Sequence, residues 1–306
     1  MSGRLGERIQ DHGYGLGWRL VRALPKGIAS GAFQLGADLA AWRGGPRAAQ
    51  LRRNLARVVP QAGPAELDEL VRDGLRSYAR YWREAFRLPA MDLGATFRQV
   101  HSVATGMEYV DAALEAGNGA VLALPHSGNW DISGVYLVGY SGQFTTVVER
   151  LEPESVYQRF VAYRESLGFE VIPHDGTGGS PTRLLLKRLR QNRLVCLLSD
   201  RDLSPSGMPV SFFGEQARMP AGPAKLAAYT GAALLPAHTW FTEDGWGLRI
   251  HPPIRVNAKE EVPAAMQTLA DVFAADIATH PADWHMMQPL WDRDLPGDDR
   301  AAGPQR

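Results

Sequence analysis

Apolar residues recur at helical spacing along PAELDELVRDGLRSYARYWREAFRLP, residues 64–89. Leu67, Leu70, Val71, Leu75, Tyr78, Tyr81, Trp82 and Phe86 share one side of the wheel, and a proline ends the run. Farther along, the period changes. GAVLALP (119–125), QFTTVVE (143–149), FEVIP (169–173), RLVCLLSD (193–200), AALLPAHTWF (232–241) and WGLRIHPPI (246–254) are short apolar or alternating runs that predict strands. Helical patterns separate several of them: PESVYQRFVAYRESLG, SPTRLLLKRLRQN and GPAKLAAYTG. This alternation predicts an α/β fold, a mostly parallel central sheet with helices on both faces. Neither an internal repeat nor a low-complexity segment interrupts it, and only the tail after Leu295 reads as disordered.

The amino-terminal part has a different texture. Within YGLGWRLVRALPKGIASGAFQLGADLAAW, residues 14–42, two short amphipathic helices divided near Pro25 would set Trp18, Leu20, Phe33, Leu35 and Trp42 beside Arg19, Arg22 and Lys26. Such helices either lie on an anionic membrane surface or cap the core with solvated arginines. The eleven uncharged residues from Gly27 to Ala37 are too few to cross a bilayer, which takes about 20. Arg19, Arg22 and Lys26 break every stretch that could serve as a signal peptide, so the chain is expected to stay in the cytoplasm.

Charge sharpens this picture. The formal net charge is zero, which argues against a nucleic-acid partner, yet residues 1–57 hold ten Arg or Lys against three acids. The single cysteine, Cys196, excludes a disulfide framework and a cysteine-based zinc site; within LVCLL it is either a buried thiol or a reactive one.

In a parallel sheet, ligands gather beyond the carboxyl ends of the strands. Three predicted strands end in groups able to do chemistry: the first at His126, the second at Glu149 and Arg150, the fourth at Asp200 and Arg201. In LALPHSGNWDISG, residues 122–134, a strand-to-helix turn would place His126 in the loop and Asp131 in the first helical turn, where the helix dipole favours a carboxylate. Asp131 could then accept from one ring nitrogen of His126 and leave the other as a base. Ser127 and Gly128 would let a substrate approach the backbone, and amides at the helix start would stabilise an oxyanion. The alternative is that His126 caps the helix or binds a carbonyl. A serine hydrolase would need G-x-S-x-G, a helical zinc site a second histidine four residues on, and a nucleotide fold a glycine fingerprint after a strand; none of these is present.

LPHSGNWD resembles the H-x-x-x-x-D motif of glycerolipid and lipid A type acyltransferases. RRNLARV near 52, YARYWREAFRLP from 78, ERLEPESVYQRFVAYRESLGFEV from 149, DRDLSPSGMPVSFFGEQARMPAGPAKLA from 200 and ADWHMMQPLW from 282 extend the likeness over nearly the whole chain, to the phosphatidylinositol mannoside acyltransferases. The resemblance implies one acyltransferase domain over 1–295, with a helical, membrane-associating part to residue 90 and an α/β catalytic core after it.

It also implies a reaction: transfer of a long acyl chain, typically palmitoyl, from acyl-CoA to the 6-hydroxyl of the 2-linked mannose of a phosphatidylinositol mannoside. His126 would be the base and Asp131 its orienting partner, with no acyl-enzyme, no metal and no cofactor beyond the acyl-CoA co-substrate. The family carries an acidic residue at Asp200, Glu in close relatives, to hold the acceptor or the histidine. Arg164 becomes a candidate substrate contact or a surface ion pair, Ser206 a coenzyme contact or a turn residue, and His285 a site residue or a core histidine; Glu149 and Arg201 complete the candidate binding set. The basic cluster Lys187, Arg188, Arg190 and Arg193 either attracts coenzyme phosphates or forms the wet face of a helix. Both substrates carry apolar tails, so the enzyme is expected on the cytoplasmic face of an anionic membrane. An acyltransferase on another glycolipid or glycerolipid and a non-catalytic lipid-binding protein remain the alternatives.

Overall fold

The structure, a computed structural model, describes residues 21–149, 154–174, 181–202 and 207–295. After helical residues 21–23, three helices follow in the described chain: α1 (Lys26–Arg43), α2 (Pro46–Val58) and α3 (Pro64–Arg87). Prolines set their starts. Pro25 caps α1, while Pro46 and Pro64 open α2 and α3, where a missing N–H costs nothing because the first turn has no intrahelical acceptor. Two short helices follow, α4 (Leu93–His101) and α5 (Met107–Glu115).

The core then alternates as β1 (Ala120–Leu124), α6 (Trp130–Ser141), β2 (Phe144–Glu149), α7 (Glu154–Ser166), β3 (Glu170–His174), α8 (Pro181–Arg190) and β4 (Leu194–Leu198). After a hairpin, α9 (Gly222–Thr230), β7 (Ala233–Phe241), β8 (Trp246–Ile250) and α10 (Val262–Thr279) complete it. All six strands expected from the sequence form one sheet in the order β3-β2-β4-β1-β7-β8, parallel except for the antiparallel β8. Every residue of β1 is buried, as a central parallel strand covered on both faces requires. Its period-2 alternation sends Val121 and Ala123 into a layer with α9 and α10, and Ala120, Leu122 and Leu124 into one with α5 and α6.

The hairpin is β5 (Met208–Phe212) and β6 (Glu215–Met219). Its sequence signal is weak because Phe213 takes φ 49° beside Gly214 at φ 78°, so a bulky residue occupies a left-handed position where Asn or Gly usually stands.

The break expected near Pro25 is present, but the helix after it runs for 18 residues and is not short. Helix α1 begins directly after Pro25; of the first helix of the expected pair, residues 21–23 are helical, while Trp18, Arg19 and Leu20 lie outside the described residues, as does the tail from 296. Ala29 and Ala37 are buried and the Phe33 ring lies tilted 6.5 Å from that of Phe86 of α3, while Ile28, Leu35, Leu39 and Trp42 are exposed, Trp42 by 81%. The helix both caps the core and presents a second apolar face outward. Among the described residues no helix is long and apolar enough to cross a membrane.

Candidate active site

Strand register builds the site. β1 and β4 are parallel neighbours with Leu124 opposite Leu198, so residues two steps beyond each, His126 and Asp200, emerge side by side. His126 Nδ1 lies 2.5 Å from Asp200 Oδ1, and the His126 backbone amide donates to Asp200 Oδ2 at 3.0 Å. Asp200 is fully buried, which works to raise its carboxyl pKa, but the charge and hydrogen bonds of His126, then the indole of Trp284, hold it below the usual carboxylate range. An ionised carboxylate only accepts, so Nδ1 carries a proton toward Asp200, and in the neutral ring the lone pair is then on Nε2.

The expected partnership of His126 with Asp131 is therefore replaced. Asn129 caps α6 through the Ile132 amide, and Asp131, in the first turn, is turned toward α7 and α3. There Arg164 donates to it from Nε at 2.8 Å and Nη2 at 3.5 Å, and the Tyr81 hydroxyl donates at 3.1 Å. A permanent cation attracts a carboxylate more strongly than a neutral imidazole does, which explains the choice of partner. Burial works to lower the Arg164 pKa, but Asp131 more than compensates and raises it; burial and then Asp131 push the Tyr81 phenol well above its ordinary value. Arg164 is thus in an interior ion pair, not a surface one.

The loop between His126 and Asp131 serves the protein's own backbone. Gly128 has φ +57°, and a Cβ there would stand 2.6 Å from the Thr239 carbonyl oxygen. Its amide donates to Asp283 O, and Thr239 Oγ1 donates to Ser127 O. The close approach that requires a glycine is that of β7, in place of the substrate approach expected from the sequence.

Around this loop the structure gathers most of the expected residues. His126, Asp131, Arg164 and Arg201 line a cavity of about 920 Å³ whose apolar walls include Leu122, Leu137, Phe144, Phe160, Phe169 and Leu248. Cys196 lies in the same wall, buried, with its thiol pKa raised by burial; this is the inert reading. His285 stands behind the loop. Its amide donates to His126 O at 2.8 Å, and its Nε2 meets Ser77 Oγ, which in turn donates to Asp283. Burial, helped by the nearby His126, pushes its pKa down to about 3, so its ring stays neutral. β2 ends at Glu149 as expected, but the Glu149 side chain and Ser206 lie outside the described residues.

The basic cluster sits at the wrong end of the sheet for this site. Arg193 precedes the first residue of β4 and bonds Gln143 just before β2, while Arg188 is paired with Glu170. Five strand residues, about 17 Å, separate it from Asp200. Among the described residues no group of three or more His, Cys, Asp or Glu could hold a metal ion. Sequence reasoning missed Tyr81 and Trp284 as members of the site; both lay in motifs already noted, but their side-chain directions depend on how α3 and the tail pack.

The family model of the bacterial lipid A biosynthesis acyltransferases matches residues 9–293. A protein of Mycolicibacterium smegmatis described as phosphatidylinositol mannoside acyltransferase is 58% identical over 304 residues, 98% of each chain. One of Mycobacterium tuberculosis with the same description is 55% identical, covering 95% of this chain and 91% of its own. The chain is an acyltransferase and belongs to the bacterial lipid A biosynthesis acyltransferase family.

Proposed function

We propose that this acyltransferase moves a palmitoyl chain from its coenzyme A thioester to the 6-hydroxyl of the 2-linked mannose of a phosphatidylinositol mannoside, without a further cofactor. The observation that carries the reading is the His126–Asp200 pair opening onto a large cavity with apolar walls. An acyl chain gains about 0.8 kcal/mol for each methylene it buries, so these walls suit the donor's tail. The relatives' descriptions supply the acceptor class.

In the reaction, Nε2 of His126 takes the proton from the attacking hydroxyl as its oxygen bonds to the thioester carbonyl carbon. Collapse of the tetrahedral intermediate expels the coenzyme sulfur, which takes up the proton from His126. Asp200 stabilises the imidazolium that exists between these two transfers; general-base action of this kind is worth about 10²- to 10⁴-fold. Arg201, on the cavity beside Asp200, would meet the polar part of a substrate, and Glu149 and Ser206 would join it in binding substrate. Asp131 and Arg164 would shape the cavity as a neutralised pair.

The protein would attach peripherally to the anionic cytoplasmic membrane face. The outward residues Ile28, Leu35, Leu39 and Trp42 of α1 supply apolar contact, and exposed Lys26, Arg43 and Arg47 supply charge.

Incubation with palmitoyl-CoA and a phosphatidylinositol mannoside, followed by mass spectrometry, tests the reaction. Acylated lipid from the native protein and none from His126→Ala supports it. Equal, slow coenzyme release by both proteins without a new lipid refutes it.

A further inference from the structure

We propose that Trp284 is a positioning residue that acts on His126 through Asp200; this rests on the reading of His126 as the base. Asp200 has three donors. His126 supplies two, its ring Nδ1 to Oδ1 and its backbone amide to Oδ2, and the Trp284 indole Nε1 supplies the third, to Oδ2 at 3.0 Å. Two bonds from one residue leave the carboxylate free to move with that residue. The third ties it to a different part of the chain.

That part is rigidly held. Trp284 is fully buried, with its ring edge-on to Phe212 and Trp291. Its segment is stitched to the histidine loop on both sides: Ser127 and Trp284 form an antiparallel bridge, the His285 amide donates to His126 O, and the Gly128 amide donates to Asp283 O. The carboxylate is thereby referenced to the tail segment and the hairpin as well as to β4.

The chemistry of the donor matters too. An indole N–H is neutral, so it orients Asp200 without cancelling its charge, which remains available to a forming imidazolium. A guanidinium in the same place would neutralise the carboxylate, as Arg164 does for Asp131. Removing the indole donor should make Asp200 a stronger base and free it to turn away from the His126 ring.

The test compares native protein with Trp284→Phe, and with site-specific benzothienylalanine at 284, which keeps the bicyclic shape and places sulfur where the N–H was. Loss of the bond that fixes the carboxylate, and through it the imidazole, predicts a kcat for palmitoyl transfer lower by roughly tenfold in either variant. KM for palmitoyl-CoA should stay within about twofold. In the Asp200→Asn background the further loss should vanish. A native-like kcat, or a loss that multiplies with that of Asp200→Asn, overturns the proposal. Nitrogen NMR of the neutral His126 ring reads the positioning without substrate. Its Nδ1-protonated fraction should fall in the benzothienylalanine protein, and an unchanged tautomer overturns the proposal even if the native protein transfers no acyl group.

Discussion

Two buried aspartates flank the histidine loop, and they are held in opposite ways. Asp200 receives only neutral N–H donors besides the His126 ring, whereas Asp131 receives the guanidinium of Arg164 and a tyrosine hydroxyl. The first arrangement keeps a negative charge in reserve beside an imidazole; the second spends it on a permanent cation. Burial alone therefore does not identify an orienting carboxylate. The donors around it do.

The comparison can be broken most sharply at Asp200. Asp200→Asn keeps the shape but removes the charge that stabilises the imidazolium, so kcat for acyl transfer should fall by about 10²- to 10⁴-fold, close to the loss in His126→Ala. Asp131→Asn should behave differently. It leaves Arg164 buried without its counter-charge, so its main effect is a stability loss of about 3–5 kcal/mol, read by urea denaturation. A large stability loss in Asp200→Asn with a normal kcat would reverse the two roles.

A smaller effect comes from imidazoles that must remain neutral. His285, behind His126, has its pKa pushed to about 3, and His238, on the other face of β7, to about 4, in both cases chiefly by burial. Since these values lie below the unfolded value of about 6.5, the unfolded chain binds more protons as pH falls. Their contribution is full above about pH 6.5 and fades toward the folded values, by about 2 kcal/mol per group at pH 5. His238→Phe should therefore flatten the fall in melting temperature between pH 6.5 and 5. Asp200, with a lowered pKa, contributes in a separate window, losing its share only below the ordinary carboxylate range. The smallest effect lies farthest from the site: Trp42→Ala should weaken sedimentation with anionic phospholipid vesicles while leaving the melting temperature within about 1 °C, because Trp42 is exposed.

The sheet was legible because each strand carries its own local signal; all six expected runs pair within it. Strand-end reasoning also brought His126 and Asp200 to one edge, since residues beyond neighbouring parallel strands must emerge together. The partner of His126 was not legible. A spacing of five residues says that Asp131 is near, but its direction is decided by Arg164 on α7 and Tyr81 on α3, both distant in sequence. Trp284 was hidden for the same reason, its indole reaching Asp200 across 84 residues. The hairpin escaped because Phe213 occupies a backbone conformation that its residue type seldom adopts.

The central claim, that Asp200 and not Asp131 orients the base, is tested most directly by nitrogen NMR of the His126 ring in neutral form. The account predicts the Nδ1-protonated tautomer in the native protein and in Asp131→Asn, and a shift toward the Nε2-protonated form in Asp200→Ala. Retention of the native tautomer in Asp200→Ala together with its loss in Asp131→Asn would contradict it.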